Sequence, residues 1–198
     1  MYGSSGEEIS RFFADNSSQY MTSEFIIGIA FLVFYLPFLA CFVTLLRIAD
    51  GVSRPWPLLA LIGGILFPMA GFAASASNGA LALQEGKVSA EIAQTLAAAT
   101  FYSFVSVPLF AGVMTLGAAL VILETRIFPR WLGWLGLAIF VVAVVSSSAT
   151  IANDPDGLLA ALTFIVLPFI AIWVVAIAVS MIRMRAEVWE VGSNVHGG

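Results

Sequence analysis

The sequence predicts an all-α polytopic membrane protein, a bundle of five transmembrane helices with a short N-terminal interfacial helix, and three observations carry that prediction. Of 198 residues, 61% are hydrophobic and 10% charged, and the mean hydropathy is +1.02. A soluble domain carries about 25% charged residues, so this chain has too few to clothe a water-facing surface. The ionised side chains leave five charge-free intervals, 25–46, 55–84, 92–123, 131–153 and 157–182; each exceeds the ~20 residues that cross a bilayer core. All five are rich in Leu, Ile, Val, Phe and Ala, and backbone in lipid must satisfy its own hydrogen bonds, which selects the helix.

Residues 1–23 form a polar extracytoplasmic segment. Glu7, Glu8, Arg11 and Asp15 precede the first apolar stretch, which is not the pattern of a signal peptide. Ser5 with Glu8 fits a capping box, and Ile9, Phe12 and Phe13 share a helical face suited to the headgroup layer. Asn16-Ser17-Ser18 is an N-glycosylation tripeptide by pattern alone. The membrane domain, 24–186, holds spans at about 25–47, 56–84, 90–124, 130–152 and 157–185. The second and third exceed a crossing: 30 residues reach ~45 Å against a core of ~30 Å. They are expected to project outward as a hairpin, its tip reading Gln84-Glu85-Gly86-Lys87, with Ser89 and Glu91 starting the next helix. Gly63, Gly64, Gly71 and Ser75 on one helix and Gly112, Gly117, Ala118 and Ala119 on the other suit close backbone contact. Asp154-Pro155-Asp156-Gly157 is read as a turn before the fifth span. Residues 187–198 are a cytoplasmic tail, disordered from Gly192 onward.

Positive charge sets the orientation. Arg47, Arg54, Arg126, Arg130, Arg183 and Arg185 fall at one side of the predicted bundle, against Arg11 and Lys87 at the other. Cytoplasmic loops retain Lys and Arg, so the N-terminus is expected outside and the C-terminus inside a bacterial plasma membrane. Trp56, Trp131 and Trp134 fall at the arginine-rich boundary, where indoles anchor, and Arg183 and Arg185 suit an anionic leaflet.

Several functions are disfavoured by composition. Eight scattered cations do not make the basic stripe of a nucleic-acid binder. One cysteine, Cys41, allows no intramolecular disulfide, and one histidine, His196, leaves metal and haem chemistry without its usual ligands. No cofactor, metal site or catalytic residue is assigned. No Asp, Glu, Lys, Arg or His lies within the five intervals, where proton relays and intramembrane catalysis place theirs.

Proline carries the remaining signal. Pro37, Pro68, Pro108 and Pro168 lie deep within spans, where each removes a helical hydrogen bond. Leu36-Pro37-Phe38-Leu39-Ala40 recurs as Leu167-Pro168-Phe169-Ile170-Ala171. The candidate ligand site is therefore Tyr35, Pro37, Phe38, Tyr102, Ser106, Pro108, Phe110, Phe164, Pro168, Phe169 and Trp173, around a cavity among the first, third and fifth spans. Uncharged polar residues, among them Ser75, Asn78, Thr100, Ser146, Ser147, Thr150, Asn153 and Thr163, either line an outward vestibule or bond helix to helix.

Phe128-Pro129-Arg130-Trp131-Leu132-Gly133-Trp134-Leu135-Gly136 is the most distinctive stretch. As a helix start it places proline in the first turn and indoles at the interface. It also resembles the motif of an uncharacterised family of small bacterial multi-spanning membrane proteins, filed under a domain of unknown function. That resemblance covers about residues 100–186 and implies the multi-spanning fold without an activity. The expected function is a non-catalytic integral membrane protein that binds a lipid or neutral apolar ligand, or serves as a subunit of a membrane complex. Expected partners are membrane lipids, another membrane subunit or further copies of the chain. The alternative is a transporter or channel for a small neutral solute.

Overall fold

The computed structural model describes residues 5–51, 54–84, 87–148 and 157–196. The turns expected at Glu85-Gly86 and Asp154-Pro155-Asp156, with Thr150 and Asn153, lie outside the described residues. The elements are α1 (Gly6–Ala30), one π turn (Phe31–Tyr35), α2 (Leu36–Asp50), α3 (Trp56–Leu83), α4 (Ala90–Thr125), α5 (Arg130–Ser147) and α6 (Leu158–His196). Five stretches are long and apolar enough to cross a membrane: Gly6–Asp50, Trp56–Leu83, Ala90–Thr125, Arg130–Ser147 and Ala161–Met184. Helix α6 runs on to His196.

The N-terminal helix differs from expectation. Its capping box forms, with the Ser5 N–H donating to Glu8 Oε2 at 2.9 Å and the Glu8 N–H to Ser5 Oγ at 3.3 Å. It is not a separate short helix, however, but the N-terminal part of a 45-residue helical run that continues to Asp50. Ile9 and Phe13 are covered by Leu81 and Ala82 of α3 and Ala93 of α4, leaving Phe12 exposed. Burial against the hairpin removes both side chains from water, which a headgroup layer would do only in part. Gly6 lets this happen: a Cβ there would collide with the Ala90 carbonyl.

The π turn solves a local and a longer-range problem. Pro37 has no N–H and its ring crowds the preceding turn; the widened turn, closed by the Leu36 N–H on the Phe31 carbonyl, accommodates it. On an unbroken α-helix at about 100° per residue, the packed stripe Ile9, Phe13 and the half-buried Tyr20 would stand roughly 70° from the stripe Leu39, Phe42 and Leu46. One extra residue in a turn rotates one half against the other by a comparable angle. Both stripes then meet the bundle.

Helix α4 is the centre, touching every other helix. Met114, Thr115, Ala118, Ala119, Val121 and Ile122 are fully buried on it. Close approach of α3 depends on Gly63, where a Cβ would strike the Met114 backbone, and on Gly117, where it would lie 2.6 Å from the Ala60 nitrogen. Gly112 meets Ala143 of α5, and Gly64 meets Leu39 of α2. Gly71 faces open space, so its expected packing role is absent. The Phe128–Gly136 stretch divides by face. Trp131 and Trp134 are exposed, Phe128 and Leu132 are buried, and Gly133 and Gly136 press on Leu123, Thr115 and Ala119 of α4. Trp173 of α6 completes this core, donating its Nε1–H to the Leu132 carbonyl at 2.8 Å, the partner a buried indole requires.

Candidate lipid groove

The candidate residues separate into different places. Tyr35 is half-buried, its hydroxyl donating to the Gly64 carbonyl at 2.9 Å. Pro68 explains that bond: lacking an N–H, it leaves Gly64, four residues earlier, without its helical donor. Phe38 stacks on Phe42 with ring centroids 5.6 Å apart, and Phe42 meets Trp173 edge-on at 5.8 Å. Phe169 is exposed beside a hollow of about 320 Å³ between α5 and α6. Tyr102 is exposed, and Ser106 donates to the Tyr102 carbonyl at 2.9 Å, within its own helix. Phe110 is half-buried, its carbonyl facing Gly63, and Phe164 is exposed with its ring 5.4 Å from Phe104.

The prolines do not gather around one cavity. Pro37 and Pro168 face outward, whereas Pro108 is buried within α4. A proline marks where a backbone donor is missing, and the facing of its side chain is a separate matter of helical phase. Nor do the described polar side chains open a vestibule. The Thr100 hydroxyl bridges to Asn78 Oδ1 at 2.9 Å, Thr115 donates to the Gly112 carbonyl at 3.0 Å and Ser146 to the Ala143 carbonyl at 3.0 Å. These bonds lie within helices or between adjacent ones.

Tyr35 and Phe38 do share a place that the prolines did not indicate. Helices α2 and α6 run side by side in the same direction, touching through Phe42 and Trp173 but leaving an apolar seam on the outer side. Its upper hollow, about 380 Å³, lies between Ala30, Phe31, Phe34, Tyr35 and Phe38 and the Val174, Val175 and Ala178 edge of α6. Its lower hollow, about 800 Å³, is lined by Ala40, Cys41, Thr44, Leu45, Met181, Ile182 and Met184. Pockets of a few hundred to about 1,000 Å³ are the size that holds small ligands. No glycine lines either hollow, and that is the signal a sequence reading could have used: glycines draw α3, α4 and α5 together but are missing from the facing edges of α2 and α6.

At the arginine-bearing end Arg47 and Arg183 are exposed, and neither lines the lower hollow. Arg54 pairs with Glu124, whose carboxylate holds the guanidinium protonated above its already high range. Asp50, at the end of α2, has both carboxylate oxygens buried without a hydrogen-bond partner.

Five membrane-crossing helices around a glycine-packed centre make this a multi-pass all-α membrane protein. Within that class, the chain belongs to the family described as a domain of unknown function (DUF4386), which it matches over residues 8–184. The match takes in the N-terminal helix together with the stretch from Phe128 to Gly136. No curated protein and no solved structure matches the chain.

Proposed function

We propose that this protein is a non-catalytic lipid binder of a bacterial plasma membrane, holding an acyl chain in the seam between α2 and α6. The observation that carries the reading is the lower hollow, about 800 Å³, lined by Cys41, Leu45, Met181 and Met184. Its walls offer dispersion contact without charge, and methionines adapt to chains of varying shape. At ~1.5 Å per residue the seam from Ala30 to Leu45 is ~22 Å long, more than the ~15 Å of one leaflet's hydrocarbon. A solute path is less favoured, because α3 meets α4 backbone to backbone at Gly63 and Gly117, and α5 packs on α4 at Gly112 and Gly136. The arginine-bearing end is placed in the cytoplasm, with Gly6 and the α3–α4 tip outside.

Native mass spectrometry of the protein purified in mild detergent tests the reading. The wild type is expected to carry a stoichiometric lipid adduct, and Cys41→Trp, whose indole intrudes into the lower hollow, to lose it. Equal adducts on both proteins would remove the seam as the site. A wild type without any lipid would leave the protein as a subunit whose helices await a protein partner.

A further inference from the structure

We infer that the N-terminal end of the bundle carries a binding site for a small zwitterion, an α-amino acid with a short aliphatic side chain, in a hollow between α1 and the start of α4. The site is separate from the lipid seam. The hollow measures about 340 Å³ and is lined by Glu7, Ser10, Arg11 and Ala14 of α1 together with Val88 and Ala90, a size that suits a small ligand. Residues 7, 10, 11 and 14 share one side of a helix. A carboxylate, a hydroxyl and a guanidinium group are thus carried along the border of one space.

Ser10 is the residue that points to a ligand. It is only 8% exposed, yet its hydroxyl has no hydrogen-bond partner. Other helical hydroxyls of this chain turn back on the carbonyl four residues earlier, as Thr22 does to Ser18, Thr44 to Ala40 and Ser106 to Tyr102. Ser10 makes no such bond to Gly6. A buried hydroxyl left unpaired costs free energy, and a carboxylate oxygen entering from the hollow would satisfy it. Glu7 and Arg11 supply the two charges that a zwitterion needs. They stand one turn apart, and among the described residues they form no ion pair with each other. The guanidinium fork takes the ligand's carboxylate, Glu7 takes its ammonium group, and Ala14, Val88 and Ala90 offer small apolar walls to its side chain. Glu8 is already held by the Ser5 N–H, and neither Glu91 nor Lys87 lines the hollow. Depth excludes a lipid headgroup as the occupant. Ala14 comes 11 residues before Phe25, where the charge-free stretch begins. That is about 16 Å along the helix, whereas headgroups add only about 5–8 Å to each side of the hydrocarbon.

Isothermal titration of the full chain in nanodiscs tests the site, with L-alanine as the probe, acetate and ethylamine as carriers of one charge each, and L-tryptophan as a zwitterion with a large side chain. Alanine is expected to bind about tenfold or more tightly than any of the other three, and Glu7→Gln and Arg11→Gln should each weaken it by about the same factor. Ser10→Ala makes the assignment specific, because its two effects have opposite signs. Alanine binding should fall about tenfold, while the unliganded protein should unfold at a higher temperature, having lost a buried hydroxyl without a partner. A wild type that gives no heat with alanine, or alanine binding unchanged by the three substitutions, overturns the site. Acetate or tryptophan binding as tightly as alanine overturns the assignment of a small zwitterion, and a Ser10→Ala protein that unfolds at a lower temperature overturns the role given to its hydroxyl.

Discussion

Tyr35 shows how a single hydroxyl can be required by a residue on another helix. The Gly64 carbonyl has no intrahelical donor because Pro68 has no N–H, and the Tyr35 hydroxyl supplies one across 2.9 Å. Tyr35→Phe keeps the ring packing against Phe31 and Phe67 but leaves that carbonyl unpaired in a low-dielectric interior. The expected loss is about 1–2 kcal/mol, read as a lower unfolding temperature in detergent. A double-mutant cycle makes the cause specific. In a Pro68→Ala background α3 regains its own donor, so the same tyrosine substitution should cost markedly less. An equal cost in both backgrounds would show that the hydroxyl matters for some other reason. Arg126 is the opposite kind of residue, required by nothing local: it closes α4 in the left-handed region at φ 59°, where glycine sits without strain.

At the scale of elements, the π turn sets which way the two halves of the first helix face. Val33 is exposed within it, so deleting Val33 is expected to return the turn to regular α-helix while preserving phase between the Ile9 stripe and the Leu39 stripe. Inserting one alanine after Ala30 should instead rotate the outer half by about 100° and carry Ile9 and Phe13 off the hairpin. Hydrogen exchange over residues 6–20 reads the difference, with protection kept in the deletion and lost in the insertion. Loss of protection in both would mean that the turn itself, and not phase, holds α1 in place. The same turn marks where the sequence stopped being legible. The spans could be read because lipid excludes charge, and Gly63, Gly64, Gly112 and Gly117 could be assigned to contacts because small residues suit close helices. Gly71 has that composition but faces open space, since composition does not say which side of a helix meets a neighbour. Pro37, Pro108 and Pro168 do not share a cavity for the same reason. Tyr35 and Phe38 were recognisable as candidates, whereas Cys41, Thr44, Met181 and Met184 became so only when the register of α2 against α6 was known.

For the whole molecule, the polar N-terminal half of α1 locates the hairpin. Glu7, Glu8, Arg11 and Asp15 do not enter hydrocarbon at acceptable cost, and Gly6 lies against Ala90, so the tip of α3 and α4 stands in water beside them. In a Cys41→Ser background, Lys87→Cys should therefore react with an impermeant thiol reagent on intact cells, and Arg126→Cys should not. The reverse pattern would invert the orientation. The pairing of α1 with that tip also has a consequence in time. Ala93 is made 80 residues after Phe13, and at roughly 5–20 residues per second the ribosome needs about 4–16 s to bridge that interval. For most of it the Ile9 and Phe13 stripe has no cover, because Leu81 and Ala82 come only at the end of α3 and Ala93 later still. A nascent chain halted between α2 and α3 would thus present an unburied apolar ridge outside the membrane, the form of exposed surface on which chaperones and proteases act.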